Sequence, residues 1–208
     1  MIDVRDSTRT QRTASGTGPE AGTAVRAKVT KNALRELIRA QRLMDSGQAR
    51  QAAAHNLCEV FLELLHVRRA RSVALYASGL EEPGTHLARR ALAAIGVRVL
   101  LPVFKGPGEV WWIDDAGPPA DIHFLTEVRR AASSLSRRTL DDVAVVLVPA
   151  LAVDTLCRRL GHGSGHYDPV LSRLGPDTLK VAAVYEREVF DAAVSHFPPR
   201  ITTSRSTP

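Results

Sequence analysis

The stretch RRLGHGSGHYDP, Arg158 to Pro169, follows directly on DDVAVVLVPALAVDTLC, residues 141–157. The apolar run Val143 to Val153 reads as one strand buried on both faces, as a central parallel strand is. Three glycines then recur at every second position, Gly161, Gly163 and Gly165, flanked by Arg158 and Arg159 and followed by His166, Tyr167 and Asp168. Strand, glycine loop with cations, then helix start is the layout of an anion site in an α/β protein. Glycines let backbone N–H groups approach an anion closely, and Arg159 can add a bidentate contact. On spacing alone, a phosphate site and a purely structural glycine turn both fit.

Several other loop chemistries are excluded. No GKS or GKT follows the glycines, so this is not a Walker loop. The spacing is GxGxG rather than GxGxxG, which argues against a dinucleotide fold. Ser164 has His162 and His166 two residues to either side instead of glycines, so it is not a nucleophile elbow. His162, His166 and Asp168 are spaced like metal ligands, but three donors so close in a loop point in different directions. Asp168 alone, beside a bound phosphate, suits magnesium better, because that ion takes one or two carboxylates plus phosphate oxygens.

Working outward, KNALRELIRAQRLM (Lys31 to Met44) has helical spacing, with Leu34, Leu37, Ile38 and Leu43 as the apolar stripe and Lys31, Arg35, Arg39 and Arg42 as a basic flank. A second helix is expected from about Gln48 to His66, with Leu57, Val60, Phe61, Leu64 and Leu65 inward. Strands follow at Ser72–Ser78 and Val97–Phe104, separated by a helix His86–Ile95 that Thr85 can cap and Gly96 ends. A short strand carries Trp111 and Trp112, one facing the core and the other not. A helix is expected around Thr126 to Leu135, a short one after the glycine loop, and a last strand at Leu179–Tyr185. Strands separated by helices predict an α/β fold: three layers, a mainly parallel sheet with flanking helices. Residues 1–26, rich in Ser, Thr, Gly and Arg, read as a disordered tail. A single domain spans 27–200, and 201–208 read as a frayed end.

Composition narrows the partners. The net charge of +6 raises the question of nucleic acid, but the cations are scattered among acids without a block of five like charges, and aromatics are only 5%. A basic pocket for a phosphorylated small molecule explains the charge, and no nucleic-acid partner is expected. The two cysteines, Cys58 and Cys157, make neither a disulfide framework nor a zinc motif, which suggests a reducing cytoplasm. No signal peptide is visible, and apolar runs of about ten residues fall short of the roughly 20 needed to span a bilayer, so no membrane partner is expected. A monomer is expected.

The segment VPALAVDTLCRRLGHGSGHYDPVL resembles the signature of the 5-formyltetrahydrofolate cyclo-ligase (methenyltetrahydrofolate synthetase) family. Val148, Pro149, Ala152, Asp154, Arg159, Leu160, Gly161, Gly163, Gly165, Tyr167 and Asp168 match it. Lys31, Leu34, Arg35 and Arg42 fit the family's opening helix. Tyr76 and Glu82–Thr85 fit a strand leading to E-x-x-T, while Leu101, Pro102 and Trp112 fit the following strands. The order agrees over residues 28 to about 185. The resemblance implies ATP- and magnesium-dependent conversion of 5-formyltetrahydrofolate to 5,10-methenyltetrahydrofolate, with release of ADP and phosphate. It implies that Lys31, Arg35 and Arg159 hold ATP phosphates together with the loop Leu160, Gly161, His162, Gly163, Ser164 and Gly165. Asp168 would join the ATP site as the magnesium ligand. Glu82, Trp112, His166 and Tyr167 would meet the folate, with Arg159 and Tyr167 in the catalytic positions.

The chain departs from that pattern at named places. His166 replaces a tyrosine, Pro169 an arginine, and Cys157 a glycine where a left-handed turn residue is convenient. Glu188 stands where glutamine is usual, and Glu127 is followed by Val128 where the family has proline. After His196 the C-terminus loses the pattern. A second reading is therefore a paralogue that binds nucleotide or a folate-like ligand without this reaction.

Overall fold

The computed structural model describes residues 30–106, 109–115 and 137–191. The expected N-terminal tail, the helix around 126–135, Glu127, His196 and the frayed end lie outside the described residues. Two helices open the fold. Helix α1 (Lys31–Met44) starts where the Thr30 hydroxyl accepts the Ala33 N–H at 3.2 Å, and α2 (Gly47–Arg68) where Ser46 accepts Ala49 N–H at 3.1 Å. Such caps satisfy amides that a helix start otherwise leaves orphaned. Helix α2 ends at Arg69 in the left-handed region, φ 50°. Its inward residues are Phe61 and Leu65, as the spacing predicts, whereas Val60 is exposed.

Helix α1 departs from its expected stripe. Leu37 and Leu43 are exposed, and the buried positions are Ile38 and Arg42. Arg42 leaves the expected basic flank because its guanidinium has acceptors waiting inside the protein, Glu188 above all, at 2.7 and 2.8 Å.

The central sheet has five strands in the order β3-β2-β1-β4-β7. These are β1 (Ser72–Ala74), β2 (Arg98–Gly106), β3 (Glu109–Asp114), β4 (Val145–Pro149) and β7 (Leu179–Ala183). All pairings are parallel except the β2–β3 hairpin. Side chains alternate between two cores, as the pleat requires. Val73, Val99, Leu101, Val145 and Leu147 pack with Phe61 and Leu65 of α2 and Leu92 of α3 (His86–Ala94). Ala74, Leu100, Trp112, Val146 and Val148 pack on the other face with Tyr167, Val170 and Leu171 of α4 (Tyr167–Arg173). The result is the three-layer α/β arrangement expected from the sequence. Trp112 is the buried member of the tryptophan pair, and Trp111 is half-buried at the edge of the first core with Lys105 4.8 Å from its ring centre.

The run Val143–Val153 is not one strand. Strand β4 ends at Pro149, the chain bends at Ala150–Leu151, and β5 (Ala152–Asp154) belongs to a second sheet, β6-β5-β8. Strands β6 (Arg159–Leu160) and β8 (Val189–Phe190) flank it. Uniform apolarity hid this break, because both halves are buried: Leu151, Ala152 and Leu160 pack against Ile38 of α1. Two further boundaries differ. The first strand is regular only to Ala74, and Thr85 does not cap α3. Its hydroxyl instead donates to Tyr76 O at 2.7 Å, and its amide donates to the Ser78 hydroxyl at 3.0 Å.

The turn joining β5 to β6 is organised by Asp154, 3% exposed, which accepts the amides of Leu156 and Arg158 and the Nε of Arg158 at 2.6–3.0 Å. Inside it Cys157 has φ 60°, the left-handed conformation expected from its place in the motif. No described helix is long and apolar enough to cross a membrane. Because an L side chain is strained at this φ by roughly 1–2 kcal/mol, Cys157→Gly is expected to hold or raise stability. Cys157→Val is expected to lower it by about 1–2 kcal/mol, and denaturant unfolding of the two variants checks both.

Candidate active site

Strand β2 lies on one side of β1 and β4 on the other, so the chain reverses direction across the sheet between β1 and β4. In open parallel sheets, ligand clefts form beyond the strand ends at such a point. A cavity of about 410 Å³ opens here. Glu82, in the loop after β1, lines it together with Phe104 from the far end of β2 and Pro149 from the last position of β4. The glycine loop and the start of α4 form another wall, and Lys31 and Arg35, one turn apart on α1, close the cationic side.

The loop is held from both sides by arginines. From α1, Arg35 Nε donates to Gly161 O at 2.9 Å and Arg39 Nη2 to His162 O at 2.9 Å. From beneath, Arg159, only 8% exposed, donates Nη1 to Pro149 O at 2.9 Å and Nη2 to Asp168 Oδ1 at 2.5 Å. Burial lowers the Arg159 pKa, and Asp168 opposes that shift. Gly161 leaves room for Arg159: a Cβ there would stand 2.7 Å from Nη1, so the guanidinium would have to shift. Gly163 is required by conformation, with φ 98°. Asp168 lies in the first turn of α4 with its side chain 69% exposed. That exposure leaves the carboxylate accessible to a cation.

The opposite wall carries Glu82 and the aromatics. Glu82 Oε2 accepts Gly79 N–H at 2.9 Å, which fixes the carboxylate, while Oε1 stands 3.3 Å from His162 Nε2. That nitrogen is buried and has no hydrogen-bond partner among the described residues. The Tyr167 hydroxyl is also buried without a hydrogen-bond partner among them. Burial first, then the charge of Glu82, push the Tyr167 pKa well above its ordinary value of 10.0, against the pull of Arg159, so the group is a neutral phenol. The Tyr167 ring meets Phe104 edge-on at 6.1 Å and Trp112 at 6.4 Å, and Phe104 lies 4.8 Å from the His166 imidazole.

Lys31, Arg35, Glu82, Arg159, Leu160, Gly161, His162, Gly163, Ser164, Gly165, His166, Tyr167 and Asp168, the residues expected at the site, all line this one cavity. Trp112 does not. It is 5% exposed, packs against Tyr167, and lines a separate cavity of about 360 Å³ beside Arg138 and Arg173. Sequence reasoning missed Phe104 and Pro149, which the ends of their strands bring to the cavity, and missed that Arg39 ties down the loop. The available signal was the strand-end position, since ligand clefts draw on the carboxyl ends of parallel strands.

Such a molecule belongs to the class of α/β proteins with a cationic, glycine-lined cleft at a sheet reversal. Comparison with known proteins narrows this. Residues 27–194 match the model of the 5-formyltetrahydrofolate cyclo-ligase family, and the chain belongs to that family. It is 32% identical over 133 residues to the 5-formyltetrahydrofolate cyclo-ligase of Mycolicibacterium smegmatis, covering 58% of this chain and 65% of that relative's length. The fold resembles the 5,10-methenyltetrahydrofolate synthetase of Mycoplasma pneumoniae, with TM-score 0.66, 19% identity, and 83% of this chain and 96% of that one covered. It also resembles the Aquifex aeolicus 5,10-methenyltetrahydrofolate synthetase, with TM-score 0.61, 22% identity, and 84% and 85% covered.

Two outcomes follow from the geometry. Gly161→Ala is expected to push Arg159 off Pro149 O and cost about 1–3 kcal/mol, the price of a buried carbonyl left unpaired; a denaturation midpoint equal to that of the parent would contradict the contact. The chain has three tyrosines, and burial raises the pKa of each, Tyr76, Tyr167 and Tyr185. The unfolded chain loses these protons near pH 10, while the folded chain keeps them, so stability is expected to fall as pH rises above that value. Ultraviolet titration is expected to show tyrosinate from the two buried rings only as the protein unfolds.

Proposed function

We propose that this protein catalyses the ATP-dependent conversion of 5-formyltetrahydrofolate to 5,10-methenyltetrahydrofolate, releasing ADP and phosphate. The observation that carries the reading is the union, in one cavity, of a cationic glycine loop with a wall bearing Glu82 and the Tyr167 hydroxyl. Family membership supports it. ATP supplies the phosphoryl group that turns the formyl oxygen into a leaving group. N10 can then bond to the formyl carbon, losing its proton as phosphate departs.

Such chemistry asks the protein for positioning and charge neutralisation rather than for a nucleophilic side chain. Lys31, Arg35 and Arg159 bring positive charge to the phosphate side, and Gly161, Gly163 and Gly165 allow the phosphates to approach the backbone closely. Arg159 is already oriented by Pro149 O and Asp168, so little reorganisation is needed on binding. Glu82, its carboxylate steadied by Gly79 N–H, accepts N–H groups of the pterin. The buried Tyr167 hydroxyl, unpaired and kept protonated, donates toward the folate. His166, its ring tilted against Phe104, takes the place of the usual tyrosine in the cavity wall. Trp112 supports Tyr167 from behind and acts on the pterin through it.

The donor set fits magnesium. No group of three or more His, Cys, Asp or Glu side chains gathers among the described residues, so a site built wholly from protein ligands is not offered. Asp168, exposed beside the glycine loop, is the single carboxylate that would hold the ion, which neutralises phosphate charge when bound. Cys58 and Cys157 are not joined in a disulfide, and we assign the protein to a reducing cytoplasm.

The direct test is growth of methenyl-folate absorbance when folded protein receives 5-formyltetrahydrofolate, ATP and magnesium. Turnover above blank is expected, and its absence would remove the reading. Arg159→Ala and Asp168→Asn are each expected to lower kcat by about 10²–10³, the usual effect of losing one group that stabilises transition-state charge. Their folate affinity is expected to change far less, as measured by ligand titration.

A further inference from the structure

Arg42 is a fully buried charge that takes no direct part in the cavity. It is 1% exposed, as is its partner Glu188. Nε donates to Glu188 Oε1 at 2.8 Å and Nη2 to Oε2 at 2.7 Å. Nη2 also donates to Ala150 O at 2.9 Å, and Nη1 donates to Glu81 O at 2.8 Å. Glu188 Oε2 accepts the Tyr185 N–H at 2.8 Å as well, anchoring the 3-10 turn Glu186–Glu188.

Apart from the Glu188 turn, the segments that Arg42 joins lead into the cavity. Glu81 immediately precedes Glu82, Ala150 immediately follows Pro149, and α1 itself carries Lys31 and Arg35. A buried ion pair is weak evidence for stability, because well-packed apolar residues of similar volume often do as well. What a planar five-donor fork supplies, and an apolar side chain cannot, is a fixed geometry among several acceptors. Between Tyr76 and Thr85 the loop after β1 makes no strand or helix. Bonds from Tyr76, Ser78, Glu82 and Thr85 brace it from within, and the Arg42 bond to Glu81 O ties that braced loop to α1.

We propose that Arg42 is a positioning residue that acts through the Glu81–Glu82 backbone, setting the Glu82 carboxylate against the glycine loop. The assignment of Glu82 to the folate rests on the function proposed above; the mechanical link from Arg42 to Glu82 does not. Lysine at position 42 can reach Glu188 with its single ammonium but cannot also hold Glu81 O and Ala150 O in the arginine's geometry.

The experiment is Arg42→Lys, alone and combined with Glu82→Gln. The single variant is expected to fold cooperatively and to raise KM for 5-formyltetrahydrofolate by about tenfold, while the affinity for a non-hydrolysable ATP analogue stays within about twofold. In the double-mutant cycle the two changes are expected to be clearly less than additive, since both act on one carboxylate. Hydrogen exchange of the amides in 79–85 is expected to quicken in Arg42→Lys, with the β4 and β7 amides unchanged. A purely structural role predicts additive effects and a uniform rise in exchange, and either result overturns the proposal. If the parent protein turns over no formyl-folate, the exchange measurement still decides the role of Arg42. Should Arg42→Lys fail to fold, Glu188→Gln replaces it: faster exchange confined to 79–85 and 185–190 supports the proposal, and unchanged exchange at 79–85 sinks it.

Discussion

The end of strand β4 sets the terms for everything around it. A central strand that leaves its sheet in the protein interior strands its last carbonyls away from water, and each must find a donor. Here both donors are guanidinium groups. Pro149 O takes Arg159 Nη1 and Ala150 O takes Arg42 Nη2. The first arginine continues to Asp168 at the start of α4, the second to Glu188 and Glu81. Two neighbouring carbonyls thus tie the glycine loop, the helix after it, the first helix, the loop after β1 and the last turn of the described chain to one point. Removing one partner of the buried Arg42–Glu188 pair leaves a buried charge alone, a loss of about 3–5 kcal/mol in comparable cases.

Several departures from the family pattern make physical sense at this level. Pro169 is the third residue of α4, where its amide would have no acceptor inside the helix, so proline costs little there. His166 precedes the helix and meets Phe104 at 4.8 Å, offering a flat ring where a tyrosine would. Cys157 accepts the left-handed turn that glycine favours, held by the bonds Asp154 makes around it. Glu188 gives Arg42 a full counter-charge in place of a neutral amide, joined in two places.

Much of this was legible in the sequence, and the reason differs from part to part. Helix–strand alternation and the glycine spacing are local signals, so the layers and the loop could be read directly. The gathering of Lys31, Glu82 and Asp168 into one cavity is not local, and it was reached only by comparing the order of motifs along the chain. The bend at Ala150–Leu151 was hidden because hydrophobic periodicity cannot distinguish one long buried strand from two short ones. Arg42 was misplaced for a related reason: its burial depends on a carboxylate 146 residues away. Phe104 gave only the weak cue of standing at a strand's end.

The glycine loop has one more consequence. Gly161, Gly163 and Gly165 present main chain to the cavity, and main chain is the same in every protein. What the loop offers an anion is therefore set less by its side chains than by the spacing of its small positions.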